Sequence, residues 1–279
     1  MFDLPEVRPY RLQRAPLALA LAQVRFPLVA RLQTLEGIAP VQDRLRELFP
    51  FMEQQTQQEI ALAFTPQGPA APPAVGSSQQ WLFTDEAGTK LTVGAGGATL
   101  TAGPEYQDIQ HFAQQFERVL AAIGEAERMP RCDRLGVRYL DVAEVPPGDD
   151  QAWQRWFRPE LVGWFGSGIL NVDTRAESAL CQTSLAAPPG TFLPTAPADV
   201  QGLIRHGFVS AQTMIGDLGV QIQRASYILD LDLFVPAPQP YDPPVLAEQF
   251  RALHDQIDRF FRWSLTTEGE EYFQLEEAT

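Results

Sequence analysis

The chain has 279 residues, of which 45% are hydrophobic and 10% aromatic, enough to bury a sizeable core as one large domain or two fused ones. Its 35 Asp and Glu outnumber 21 Lys and Arg, giving a net charge of -14. Lys90 is the one lysine, so the clustered cations that neutralise phosphates are missing, which excludes nonspecific polyanion binding and argues against nucleic acid as a partner.

Cys132 and Cys181 form neither a CxxC nor a metal-type pair, so a reducing cytoplasm is the expected compartment. Asp3, Glu6, Arg8, Arg11 and Arg14 interrupt any apolar leader before Pro16. The longest apolar run, Pro16 to Ala22, falls far short of the roughly 20 residues a membrane helix needs, so no membrane association is expected.

In chain order, LALALAQVRF from Leu17 to Phe26 competes between helix and strand; its shortness and the flanking Pro16 and Pro27 favour a buried strand. Pro40 to Phe49 predicts a short amphipathic helix, with Pro40 at its first position and Pro50 ending it. Gln58 to Phe64 reads as a strand, and the proline-rich Pro66 to Ser78 as a surface loop. Trp81 to Thr84, Lys90 to Val93 and Ala98 to Thr101 predict an antiparallel meander joined by tight turns at Asp85–Gly88 and Gly94–Gly97. Ile109, Phe112, Phe116, Val119, Leu120 and Ile123 recur at helical spacing, predicting a helix over Glu105 to Glu127.

The second half repeats this order. Val137, Arg138 and Tyr139 match Val24, Arg25 and Phe26, and AEQFRALH from Ala247 resembles AQQFERVL from Ala113. Between these ends come a helix near Gln151 to Phe157 and strands near Leu180 to Ala186, Phe208 to Ile215, Gly219 to Arg224 and Tyr227 to Val235, with an irregular insertion from Pro188 to Gly207. Chance matches of this length compete with a true duplication. The expectation is an α+β fold, an antiparallel sheet with its helices on one face, in two halves, 1–130 and 131–279, packed as one continuous unit. A strand, helix, meander and helix used twice is also the layout of the TATA-binding-protein saddle, an analogy of topology that carries no function.

Several constellations bear on chemistry. Asp230 and Asp232 alternate with leucines in YILDLDLFV, which puts both carboxylates on one strand face about 7 Å apart, suited to a divalent cation or acid–base work but equally to a solvated sheet face. Arg25 and Arg138 also stand opposite apolar neighbours; together the four would make a charged surface for a peptide or an anionic ligand. Trp153, Trp156 and Trp164, with Phe157 and Phe165, form either a partner-binding patch or a local core. His254 and Asp258 lie four apart on one helix, and Arg131 and Arg134 border Cys132 in a way that would lower its thiol pKa; a solvated helix edge and an ordinary free cysteine are the competing readings. The glycines of VGAGGATL precede another strand and make a turn instead of a phosphate loop. With no HExxH, paired-His spacing or GxSxG, no metal, cofactor or catalytic residue is assigned. The apolar carboxyl-terminal helix, with Phe250, Leu253, Ile257, Phe260 and Phe261, must pack on the sheet or on another subunit, and the acidic stretch from Glu268 to Thr279 is expected to fray, with Tyr272 and Phe273 as candidate anchors for part of it.

Four blocks carry a resemblance: APLALALAQVRF, WLFTDEAGTKLTV, RLGVRYLDVAEVP, and YILDLDLF followed by LHDQIDRFFRWSLTTEGEEYF. In this order they resemble a sporadically distributed family of uncharacterised bacterial proteins of about this length, from about Ala15 to Phe273. Arg25, Trp81, Arg134 and Arg138 match its pattern, while the Pro66–Val75 loop and Pro188–Gly207 depart from it. The resemblance implies no activity; patchy occurrence is similar to that of accessory genes of defence and toxin-neutralising systems. The leading expectation is therefore a non-enzymatic binding or adaptor protein with a protein partner, since an acidic chain attracts a basic one, and the apolar helices and aromatic segment suit a homodimer. The alternative is an enzyme or small-ligand sensor using Asp230, Asp232 and the strand arginines.

Overall fold

The computed structural model describes residues 1–61, 64–65, 68–69, 74–103, 106, 108–171, 174, 177–215 and 218–277, with side chains described outside 57–77. The fold is α+β and its paired strands are antiparallel. In chain order its main elements are β1 (Tyr10–Leu12), β2 (Leu17–Arg25), α1 (Leu35–Leu45), β3 (Phe51–Ala61), β4 (Ala74–Thr84), β5 (Lys90–Gly94), β6 (Gly97–Thr101) and α2 (Ile109–Glu127). There follow β7 (Arg134–Glu144), α3 (Trp153–Trp156), α4 (Pro159–Val162), β8 (Ala179–Ala187), β9 (Val200–Val209), β10 (Ser226–Val235), α5 (Pro243–Ser264), α6 (Thr267–Tyr272) and β11 (Leu275–Glu277). Contacts divide the chain into two units: Met1–Ala20, Gly136–Val235 and Arg251–Thr279 form unit 1, and Leu21–Leu135 with Pro236–Phe250 form unit 2.

In unit 2 the strand order is β2-β6-β5-β4-β3, with Val24 opposite Ala98 and Trp81 opposite Val93. The two-residue alternation of β5 and β6 turns Leu91, Val93, Ala98 and Leu100 inward. They join a core that includes Phe83, Phe112, Phe116 and Val119, all at 2% exposure or less. Phe250 of α5 meets Phe116 with ring centres 5.1 Å apart. The buried indole of Trp81 donates to the Leu32 carbonyl at 2.7 Å, which explains why a tryptophan is tolerated there. Asp108 caps α2, its Oδ1 accepting from the His111 amide at 2.8 Å. Asp108→Ala is expected to cost about 1 kcal/mol, read as a lowered thermal midpoint.

In unit 1 the order is β8-β9-β10-β7. β9 pairs with β10 from Gln201–Phe234 to Val209–Ser226, and with β8 from Val200–Ala187 to Phe208–Ala179. Tyr227, Leu229, Leu231 and Leu233 line one buried face of β10. On the other, Ile228 joins Leu140, Val209 and Ile222 in a small apolar cluster.

Five expectations are corrected. The first helix starts at Leu35, not Pro40, because the Thr34 hydroxyl caps it by accepting from the Gly37 amide at 3.1 Å; Pro40 sits inside the helix. The strand predicted over Gln58–Phe64 begins immediately after Pro50. Residues 74–78 of the expected loop are strand, paired with β3 as far as Ala61–Ala74; residues 66–67 and 70–73 lie outside the described residues. The irregular stretch from Pro188 ends at β9, so residues 200–207 are strand. The acidic tail does not fray as far as residue 277: β11 pairs β1 as Tyr10–Glu277 and Leu12–Leu275, and the expected anchors hold, with Phe273 at 2% exposure and Tyr272 stacked on Trp156. Opposite-charge neighbours, Arg11 opposite Glu276, replace the apolar pattern that would have revealed it.

Candidate functional site

Cross-strand register assembles a polar row in unit 1. Arg205 of β9 stands directly opposite Gln182 of β8 and Asp230 of β10, and Arg138 reaches Asp230 from β7. Asp230 is 1% exposed and receives a two-pronged grip from Arg138, Nε to Oδ1 at 2.7 Å and Nη2 to Oδ2 at 2.6 Å. Arg205 Nη1 adds a third donor to Oδ2 at 3.1 Å, while its Nε donates to Gln182 Oε1 at 3.0 Å. The fork of a guanidinium matches a carboxylate in this geometry, so each charge is held by the other instead of by solvent. Asp232, opposite Leu203, is half-buried on the same strand face.

Arg25 does not join this row. It lies in unit 2, exposed at the end of β2, and donates from Nε to Gln23 Oε1 at 3.1 Å, an oxygen that Arg134 also contacts at 2.9 Å. The tryptophans divide as well. Trp153 is buried, stacked on the cross-strand neighbours Phe208 and Tyr227 at 5.5 and 5.4 Å, and Trp156 is buried on Tyr272 at 3.8 Å. Trp164 is 58% exposed, stacked on Phe165 at 4.1 Å, and Ile169 nearby in sequence is 72% exposed. The glycines at 163 and 168, which bracket Trp164, adopt positive φ, 65° and 72°, a conformation that favours glycine.

Sequence reasoning missed several participants. Arg205 sits among Gly202, His206 and Gly207, which blur the strand pattern. Asp141 of β7 is 6% exposed; burial first, then the nearby Asp230 carboxylate, push it up to about 8, so the protonated form is favoured at neutral pH. Tyr10 donates to Asp258 Oδ1 at 2.7 Å, and burial raises the Asp258 pKa in spite of that bond. His254, edge-on to Tyr139 at 5.2 Å, is lowered to about 4 by burial and is neutral at pH 7. Asp258 is thus committed to Tyr10, and among the described residues no three His, Cys, Asp or Glu are grouped to hold a metal.

Cys132 is buried, and burial pushes its thiol up to about 12, outweighing the neighbouring Arg134. Of the two readings of Cys132, this supports the ordinary free cysteine. An open groove of about 410 Å³ in unit 1 is bordered by Arg14, Pro16, Glu144, Gln223 and Tyr272; Arg14 donates to the Tyr272 hydroxyl at 2.7 Å. Arg138, Asp230, Asp232 and the three tryptophans lie outside it. No helix among the described residues is long and apolar enough to cross a membrane. Among known proteins, no family model and no curated sequence matches the chain.

Proposed function

We propose that the chain is a non-enzymatic binding or adaptor protein that docks a basic protein partner on the exposed aromatic surface at Trp164 and Ile169. The observation that carries this reading is the state of Asp230: its carboxylate is occupied by Arg138 and Arg205 of the same chain, so the charges that a ligand site would use are spent on one another. Trp164 and Ile169 are left facing outward, in a segment that also exposes Glu160 and Arg158, on a chain of net charge -14. An exposed tryptophan supplies area and cation attraction to an arginine-bearing partner, and the opposite net charge speeds encounter. The resemblance noted above extends the reading to an accessory factor of a bacterial defence or toxin-neutralising system, with the toxin as the basic partner.

The test is capture from native lysate by the tagged chain, with native mass spectrometry of what is recovered. The wild type is expected to hold one stoichiometric protein, and the Trp164→Ala, Ile169→Ser double variant to hold it about tenfold or more less tightly, at an unchanged thermal midpoint. A bound metabolite or metal without any protein, or capture indifferent to the double variant, would overturn the reading.

A further inference from the structure

β8, at the end of the unit 1 strand order, is an unguarded edge. Edge strands are normally blunted by charge, proline or a bulge, because their outer backbone groups template further pairing. β3, which ends the order in unit 2, carries Glu53 and Glu59. β8 carries none of these devices: its nine residues, ALCQTSLAA, pair without interruption with β9, and no Asp, Glu, Lys, Arg or His occurs from Ser178 to Ala198. Six of the nine side chains are exposed, on both faces, with Leu180 at 57%. Along the other rim no described backbone group bonds it.

We infer that β8 is the interface of a two-fold homodimer, in which the strand pairs antiparallel with the same strand of a second copy and Thr183 lies on the axis. Full overlap of the nine residues places Thr183 opposite Thr183, Gln182 opposite Ser184, Cys181 opposite Leu185 and Leu180 opposite Ala186, and each pair lies on one sheet face, as pairing about a two-fold requires. The pairs are self-complementary. Threonine faces threonine, a favourable cross-strand combination, and apolar or small residues meet one another. Gln182 gives Oε1 to Arg205, which leaves its amide donor for the opposing Ser184 hydroxyl. Charge is compatible with this occupant: in a chain of net charge -14 a second copy meets no like charge along β8, which lies in a neutral segment. A foreign basic strand would find no carboxylate on β8 to recognise.

The dimer is tested by sedimentation velocity on the full chain together with disulfide trapping. The wild type should sediment at twice the 31.0 kDa chain mass. Thr183→Lys, which sets ammonium against ammonium at the axis, should sediment as a monomer with an unchanged circular dichroism spectrum, and its thermal midpoint should lose the concentration dependence that dimerisation gives the wild type. Cys181→Ser, Thr183→Cys should cross-link to near completion under mild oxidation, while Cys181→Ser, Ser210→Cys, a thiol at an exposed position beyond β9, should not. A wild type that stays monomeric, or a dimer that survives Thr183→Lys and fails to cross-link at 183, overturns the inference. Neither result bears on Trp164, so this test and that of partner capture fail separately.

Discussion

Asp230→Ala is expected to destabilise the protein by about 3–5 kcal/mol, the largest loss among single side chains of the polar row. The reason is asymmetry. Arg138 has only 9% of its side chain exposed, and with its bidentate partner gone a guanidinium would stay buried against a void. Arg138→Met alone should cost less, since Arg205, 31% exposed, still reaches the carboxylate at 3.1 Å. The double substitution Arg138→Met, Asp230→Leu removes both charges and fills the space, and should recover most of the loss, because a well-packed apolar pair is often as stable as a buried ion pair. Urea unfolding of the three variants at fixed salt checks the order; a double variant as unstable as Asp230→Ala would contradict it.

Asp141→Asn is expected to stabilise the protein at pH 8 and to flatten its pH dependence. The carboxyl of Asp141 sits at about 8 in the folded chain against 3.8 as its ordinary value, raised by burial and by Asp230. A raised carboxyl binds its proton more tightly folded than unfolded, so its contribution is complete below pH 4 and is lost as pH rises through about 8. At about 1.4 kcal/mol per unit the whole loss is at most about 6 kcal/mol, with solvent relaxation reducing it. Asparagine keeps the shape without the titration. The difference in unfolding free energy between wild type and variant should therefore be near zero at pH 4 and grow in favour of the variant up to pH 8; a difference that does not change with pH would show that Asp141 ionises normally.

How much of this was legible depended on whether a local pattern survived the demands of packing. β10 was readable because leucines alternate with Asp230 and Asp232 without interruption. α2 was readable because its buried stripe keeps a period of 3.6. β9 was hidden by Gly202 and Gly207, and the latter is required by neighbours: at φ 143° a Cβ there would lie 1.8 Å from the Ala179 carbonyl oxygen, so β8 approaches too closely for any side chain. β11 was hidden because its partner is 263 residues away at the other end of the chain, a pairing no local window contains. In the same way, the alternation that put Asp230 on one face gave no sign that Arg138 and Arg205, from two other strands, would take up its charge. Trp153 and Trp164 look alike in sequence; only the packing of Phe208 and Tyr227 around the first separates a core residue from a surface one.

In the proposed reading the Arg138–Asp230 pair supports the fold while the Trp164 surface binds. The most direct measurement is partner capture by the folded Arg138→Met, Asp230→Leu variant, set beside the wild type in the same lysate. The account predicts that the same protein is recovered at the same stoichiometry, with a thermal midpoint within a few degrees of wild type. A folded double variant that loses the partner, or sheds a small molecule that the wild type retains, would contradict it and make the polar row the binding site.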